Sequence, residues 1–486
     1  MGIIAKQSIY NVFSIGIAFV IGALNMVYLY PTYPGKEFQG LVIAVLANSN
    51  LIQPFLSFGV QHTLIKYFSD ADSKVERDRL LWFVLLFPIL ILLIIAPLYS
   101  QFNHAILEFL SGNSETVGRF PFMILAVAIS TAYFEVFFSW LRVHLHSVFG
   151  NFLKEVYPRL LTLILLLCYV FSWIDKDSFI NYLILGYYLR LFVIAAYSFY
   201  IYVPSFEFRL PSNVKPMMRY SALIFLSGAA ASFILDIDKS MIYAITSQEN
   251  VAFYAVALYI AAVVEAPGRA MFQITSPLVA TALNQNDLPR LESLLKKSSA
   301  NLMVVCGLAF LVINLNLVDF YQLINQDGYA SAIGVVVIVS LGKFFSMSMG
   351  CLNNIISNSQ YYSYVFWFSI SSAILAVLLN YYFINVYGII GAALATFMVI
   401  VFINICKIIL IYKVFKIHPY NKKSWSIVLS LFLIYGVIYL IPTMINPILS
   451  IIIRSVLIIS LFAIPFYRFR WSEEIENQLK RLKALF

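Results

Sequence analysis

Fourteen apolar runs separated by short polar turns make up most of this 486-residue chain: 8–30, 41–60, 80–100, 120–141, 159–173, 180–203, 220–243, 251–283, 299–318, 329–356, 363–384, 388–412, 425–441 and 448–467. A helix rising about 1.5 Å per residue needs about 20 apolar residues to cross the hydrocarbon of a bilayer, and most of the runs reach that length. The fifth is short. The eighth is too long for one straight span, and Pro267-Gly268 and Pro277 are places for it to kink or end. The pattern predicts an all-α polytopic membrane protein of about 14 transmembrane helices.

Loop charge sets an orientation. Alternate loops hold 23 Lys and Arg residues, among them Lys66, Arg142, Lys154, Arg209 and Lys297, whereas the intervening loops hold only Lys36, Arg119 and Lys176. Basic loops stay in the cytoplasm, so both termini are expected there. A shift of 211 or 212 residues overlays the first six runs on the next six, with the turn at Glu37-Phe38-Gln39-Gly40 falling on Glu249-Asn250-Val251-Ala252. Six helices per copy gives both copies one orientation, which is a parallel repeat with a substrate site expected between the lobes. The expected organisation is a six-helix lobe at 1–203, a second at 204–412, and two extra helices with a cytoplasmic amphipathic tail at 413–486. In that tail Ser472 is placed to cap a helix whose Ile475, Leu479, Leu482 and Phe486 share a face.

Composition agrees: 62% of residues are hydrophobic and 11% charged, with a mean hydropathy of +0.87. The net charge of +9 lies in short loops between spans and is no sign of nucleic-acid binding. Cys168, Cys306, Cys351 and Cys406 all fall in apolar runs without metal-ligand spacing and read as small apolar residues. No Gly-rich phosphate loop is present, so neither ATP hydrolysis nor a cofactor is expected.

The informative residues are the charges inside the runs: Glu135, Arg190, Asp236, Asp238, Lys239, Glu265, Arg269, Lys343, Lys407 and Arg454. Such groups are costly in hydrocarbon and mark transport paths or structural ion pairs. Lys407 and Arg454 are near enough to span ends to snorkel towards water. Glu135, Arg190, Glu265 and Lys343 sit about 15–22 Å deep at 1.5 Å per residue and reach water only through a cavity. Glu265 and Arg269 are four apart on one helix and can pair.

Asp238-Lys239, then Glu249 to Ala257 (ENVAFYAVA), then Pro277 resemble the seventh and eighth spans of bacterial polysaccharide flippases of the multidrug/oligosaccharidyl-lipid/polysaccharide superfamily. The turn from Asn380 to Ala393 (NYYFINVYGIIGAA) is similar to their eleventh-to-twelfth-span turn; Ala252 departs from the glycine usual in the family. The resemblance implies a non-enzymatic transporter in the bacterial inner membrane. It would carry undecaprenyl-pyrophosphate-linked oligosaccharide of the O-antigen kind to the outer leaflet, beside a polysaccharide polymerase and glycosyltransferases. A pyrophosphate needs a cationic cavity, and Arg190, Lys239, Arg269 and Lys343 are the candidates for holding it. Glu135, Asp236, Asp238 and Glu265 are candidates for binding a coupling proton or sodium ion. Three other readings stay open: a drug or metabolite antiporter of the same superfamily; an O-antigen polymerase or ligase, an enzyme that usually carries one large catalytic outer loop; and a scaffold for a glycan assembly complex.

Overall fold

Where its residues are described, each of the fourteen apolar runs lies mostly on helix. The computed structural model describes residues 16–68, 71, 73–111, 120–144, 146–207, 209–324, 328–442, 445–472 and 474–476. Among these there is no strand, which suits a chain whose backbone groups must pair within each segment in hydrocarbon. Nine of the described helices are long and apolar enough to cross a membrane, or ten if the bent helix at 214–245 counts as one span. The chain is a multi-pass membrane protein of two compact units, residues 1–252 and 253–486.

The first unit begins with α1 (Gly16–Thr32), α2 (Lys36–Ser57), α3 (Val60–Phe68), α4 (Lys74–Ser111) and α5 (Phe120–Val143). It continues with α6 (Ser147–Glu155), α7 (Tyr157–Val170), α8 (Lys176–Ile201) and α9 (Val214–Ile245), and ends inside α10 (Gln248–Ala262). Its core gathers Leu80, Val84, Phe134, Trp140, Leu141 and Ile194, from α4, α5 and α8. α9 packs on α2, α3 and α4 and bends by 55° between Ala230 and Leu235, just after Ser227-Gly228, a pairing that softens helices. α4 runs on to Ser111 where sequence hydropathy falls at about residue 100, because a helix satisfies its own backbone wherever it leaves the apolar slab. The rest of the expected 101–119 loop, residues 112–119, lies outside the described residues.

The second unit holds α11 (Ala266–Asn284), α12 (Leu288–Leu315), α13 (Leu317–Ile324), α14 (Ile333–Ser348) and α15 (Leu352–Asn358). It closes with α16 (Ser363–Phe415), α17 (Lys422–Tyr439) and α18 (Pro447–Phe469). α16 joins the eleventh and twelfth runs, and the chain reverses inside it at Gly388, whose φ of 58 and ψ of −134 only glycine takes without strain. The reversal is tight: a Cβ on Gly391 would stand 1.9 Å from the Phe383 carbonyl oxygen, although eight residues along a straight helix span about 12 Å. Asp287, Asn421 and Asn446 start their helices by accepting hydrogen bonds from first-turn amides. The Ser472 hydroxyl accepts from the Ile475 amide at 3.1 Å, as a cap does; Leu479, Leu482 and Phe486 lie outside the described residues.

Large apolar side chains point outwards along several spans, including Phe192, Leu378 and Phe432 at 69%, 62% and 76% exposure. Such a surface suits acyl chains rather than water. The four cysteines are free thiols, with Cys306 and Cys351 buried.

Candidate functional site

The second unit holds a three-residue ionic cluster. The eighth run breaks beside Pro267-Gly268, where a 3-10 turn at Val263–Glu265 interrupts it and α11 restarts with Pro267 in its first turn, whereas Pro277 lies inside α11 and does not end it. Glu265 thereby sits at the N-cap of α11, yet its carboxylate makes no cap. Instead Oε1 accepts from Arg269 Nη2 at 2.7 Å and Oε2 from Lys343 Nζ at 2.7 Å. The Arg269 side chain is 62% exposed, whereas Glu265 and Lys343 are each 21% exposed. Lys343 stands on α14, an otherwise apolar helix, and reaches Glu265 because the two helices touch one turn away. A Cβ on Gly268 would lie 2.2 Å from Met347 Sδ, so the missing side chain permits the approach. The cluster carries one carboxylate and two cations.

The first unit repeats this composition elsewhere. Glu135 on α5 accepts from Lys154 on α6 at 2.8 Å. Again a glycine lets the helices meet, for a Cβ on Gly150 would lie 2.3 Å from the Phe138 ring. The pair borders a cavity of about 260 Å³ that also receives Gln53, His62 and Arg142. Arg142 and Lys154 flank the Phe138 ring, 5.6 and 5.5 Å from its centroid. One carboxylate, two permanent cations and an imidazole thus line the same cavity, with Lys154 the cation in contact with Glu135. Sequence reasoning found Glu135 but treated Arg142 and Lys154 as loop charges and passed over His62, because the contacts join helices that no spacing rule connects.

The remaining candidates are placed separately. Asp236 accepts from Lys239, one turn ahead on α9, at 2.5 Å and from Asn50 Nδ2 of α2 at 3.2 Å. Asp238 is buried on the same helix. Arg190 is buried on α8, with its guanidinium over the rings of Phe134 and Tyr187 at 4.2 and 4.6 Å and a long contact of 3.5 Å to Thr131 Oγ1. Ring faces thus meet this charge, and its Nε has no hydrogen-bond partner among the described residues.

Arg454 does not snorkel. It lies buried against Asp319 at 3.6 Å and donates to the Leu315 and Ile441 carbonyls, while Ser450 donates to Asp319 at 2.8 Å. Asp319 falls one residue past the ninth apolar run, which hid it from the sequence reading. Among the described residues no group of three or more His, Cys, Asp and Glu side chains could hold a metal ion.

A family model described as polysaccharide biosynthesis protein matches residues 4–266. No curated protein matches the sequence. Among solved structures, the fold is similar to the lipid II flippase MurJ in an inward closed conformation, with a TM-score of 0.73 at 15% identity over 96% of this chain and 99% of that one. It is also similar to an inward-facing multidrug resistance MATE transporter of the MOP superfamily, with a TM-score of 0.63 at 15% identity over 84% and 94%. A MOP transporter from Pyrococcus furiosus, described by the reverse polarity of its binding pocket, aligns with a TM-score of 0.51 at 12% identity over 85% and 96%.

Proposed function

Because the chain belongs to the polysaccharide biosynthesis protein family, we propose that it flips a prenyl-diphosphate-linked oligosaccharide, such as an undecaprenyl-linked O-antigen repeat unit, across the bacterial inner membrane. The observation that carries this reading is the shared design of the two ionic sites. Each gathers one carboxylate of a membrane helix and two cations: Arg269 and Lys343 both hold Glu265, and Lys154 holds Glu135 beside a cavity that Arg142 also lines, so one positive charge is in excess. A diphosphate cannot enter hydrocarbon unaided, and an excess cation beside a displaceable carboxylate offers it a counter-charge. Arg269 is the most exposed member and takes the phosphate oxygens as a two-pronged donor, with Lys343 as a compact charge behind it. Arg190 and Lys239 are the further candidates for phosphate contact in the first unit, Lys239 held by Asp236 and Arg190 by the faces of two aromatic rings.

Glu265, Glu135, Asp236 and Asp238 are the groups through which a proton or sodium ion would couple to movement. The lobes of the sequence repeat, 1–203 and 204–412, would alternate access, with 413–486 as an attached pair of helices and tail. Glycosyltransferases supply such a substrate and a polymerase consumes it. The MOP fold also suits a small-molecule antiporter, which would have no need of a lipid diphosphate.

Cells deprived of the chain should accumulate lipid-linked oligosaccharide on the cytoplasmic leaflet and lose surface polysaccharide, and the chain supplied in trans should restore it. Polymer reaching the surface without this or a related transporter would refute the reading. Repeat units that cross but stay unpolymerised would make the chain a polymerase instead.

Orientation has its own check. The positive-inside pattern places both termini in the cytoplasm, so Ser247→Cys should react with an impermeant thiol reagent in intact cells and Ser73→Cys should not. The reverse labelling would invert the topology.

A further inference from the structure

Where α7 ends and α8 begins, an open cleft of about 620 Å³ is lined by Tyr33, Tyr169, Ser172, Trp173, Asp175 and Ser178. The ionic chemistry above makes no use of it. Its shape comes from an unusual helix stop. The Ser172 amide donates to the Tyr169 carbonyl at 3.0 Å and the Trp173 amide to the Cys168 carbonyl at 2.9 Å, with Ser172 left-handed at φ 58. Glycine usually fills that position, and a side chain there costs on the order of 1 kcal/mol. The turn sets Phe171 and Trp173 side by side, rings 5.6 Å apart and tilted by 31°, with Trp173 75% exposed.

In the same lining Asp175 caps α8, accepting from the Ser178 amide at 2.8 Å. The Ser178 hydroxyl and amide hold its carboxyl below the usual aspartate range, so it is an anion at neutral pH. Next to Ser178 the helix is firmly seated: buried Phe179 packs edge-on against Phe38 at 5.2 Å and Tyr30 at 6.1 Å.

We propose that this cleft is a carbohydrate platform, one that stacks a neutral sugar of the transported oligosaccharide on Trp173 and takes its hydroxyls on Asp175 and the serines. A sugar ring presents an apolar C–H face and a rim of hydroxyl donors. An exposed indole matches the first and an ionised carboxylate the second, a pairing of aromatic wall and few polar groups usual in ligand sites. An anionic lipid headgroup fits poorly, since Asp175 and Asp177 outnumber Lys176 at the rim. Aromatic anchoring at a membrane interface needs rings alone, without a cleft or a carboxylate among them. The proposal rests on the transport reading for its substrate and on the positive-inside orientation for its place on the outer face, where an emerging glycan would meet it.

The test applies the purified full chain in detergent micelles to an array of immobilised neutral bacterial oligosaccharides. Wild type should be retained on a subset of sugars. Trp173→Ala should lower that signal at least about tenfold, as truncation of an aromatic anchor does, and Trp173→Phe should keep part of it. Asp175→Asn should weaken binding while preserving the helix cap, because asparagine caps as well as aspartate. Anionic phosphatidylglycerol vesicles should not compete.

Retention of no sugar by wild type, or equal retention by Trp173→Ala, would overturn the platform. So would a Trp173→Ala chain whose one defect is a lower yield in the membrane, which would assign the rings to interfacial anchoring. Surface polysaccharide in complemented cells separates the two readings. A chain that exports but binds no sugar refutes the platform alone, whereas one that binds sugar but exports nothing refutes the transport reading.

Discussion

Asp319→Ala should melt far below the wild-type chain, losing about 3–5 kcal/mol of stability, the usual cost of stranding one member of a buried ion pair. Arg454 is 8% exposed at its side chain and Asp319 fully buried, so removal of the carboxylate leaves a guanidinium with only carbonyl oxygens for company. Arg454→Ala should cost a similar amount by stranding Asp319. The pair fastens α18 to the start of α13, and Ser450 on α18 donates to the same carboxylate. Replacing both charges by apolar residues of similar size, Asp319→Leu with Arg454→Met, should recover most of the loss, because a well-packed apolar pair is often as stable as a buried ionic one. Thermal melting of the purified protein in detergent reads all of these. An Asp319→Ala chain that melts with wild type would show that the pair is loose or hydrated.

The larger functional effect is expected at the Glu265 cluster. Arg269 and Lys343 hold different oxygens of one carboxylate, so Arg269 can leave for a phosphate while Lys343 still neutralises Glu265. A lone Glu265–Arg269 pair would lack that property, since releasing the arginine would strand a carboxylate within the membrane. Arg269→Ala should slow transport about 10- to 100-fold, the equivalent of the 1.5–3 kcal/mol that a charged hydrogen bond contributes. Arg269→Lys should keep part of the activity, because the charge survives and the two-pronged geometry does not. Were the cluster a packing device only, replacing all three charges together, Glu265→Leu with Arg269→Met and Lys343→Met, would be nearly harmless, since no partner is left stranded.

Part of this site is legible in the sequence. Glu265 and Arg269 share a helix face by spacing alone, and Pro267-Gly268 marks the break that puts Glu265 at a helix end. The fourteen runs, and the reversal at Gly388, follow from apolar length and from the one residue type that tolerates that backbone. Lys343 is different. It lies 78 residues from Glu265, and what joins them is the missing side chain of Gly268 against Met347. The same holds for Lys154 with Glu135, where Gly150 meets Phe138, and for Arg454 with Asp319. Hydropathy says which segments enter the membrane, whereas helix partners are chosen by surface fit between side chains far apart in the chain. An intramembrane charge is therefore visible from sequence and its counter-charge is not. Asp319 therefore escapes the sequence pattern, Lys154 reads there as a loop charge, and Arg454 reads as free to snorkel.

The most direct measurement uses the purified chain in proteoliposomes carrying undecaprenyl-diphosphate oligosaccharide in one leaflet. Access of a membrane-impermeant glycosidase to the opposite leaflet is followed over time. Wild type should expose the sugar much faster than protein-free vesicles do, Arg269→Ala about 10- to 100-fold more slowly, and the triple Glu265→Leu, Arg269→Met, Lys343→Met chain not at all, although it melts like wild type. Wild-type exposure no faster than in empty vesicles, or a triple variant that transports normally, would contradict the proposed role of this cluster in moving a lipid-linked diphosphate.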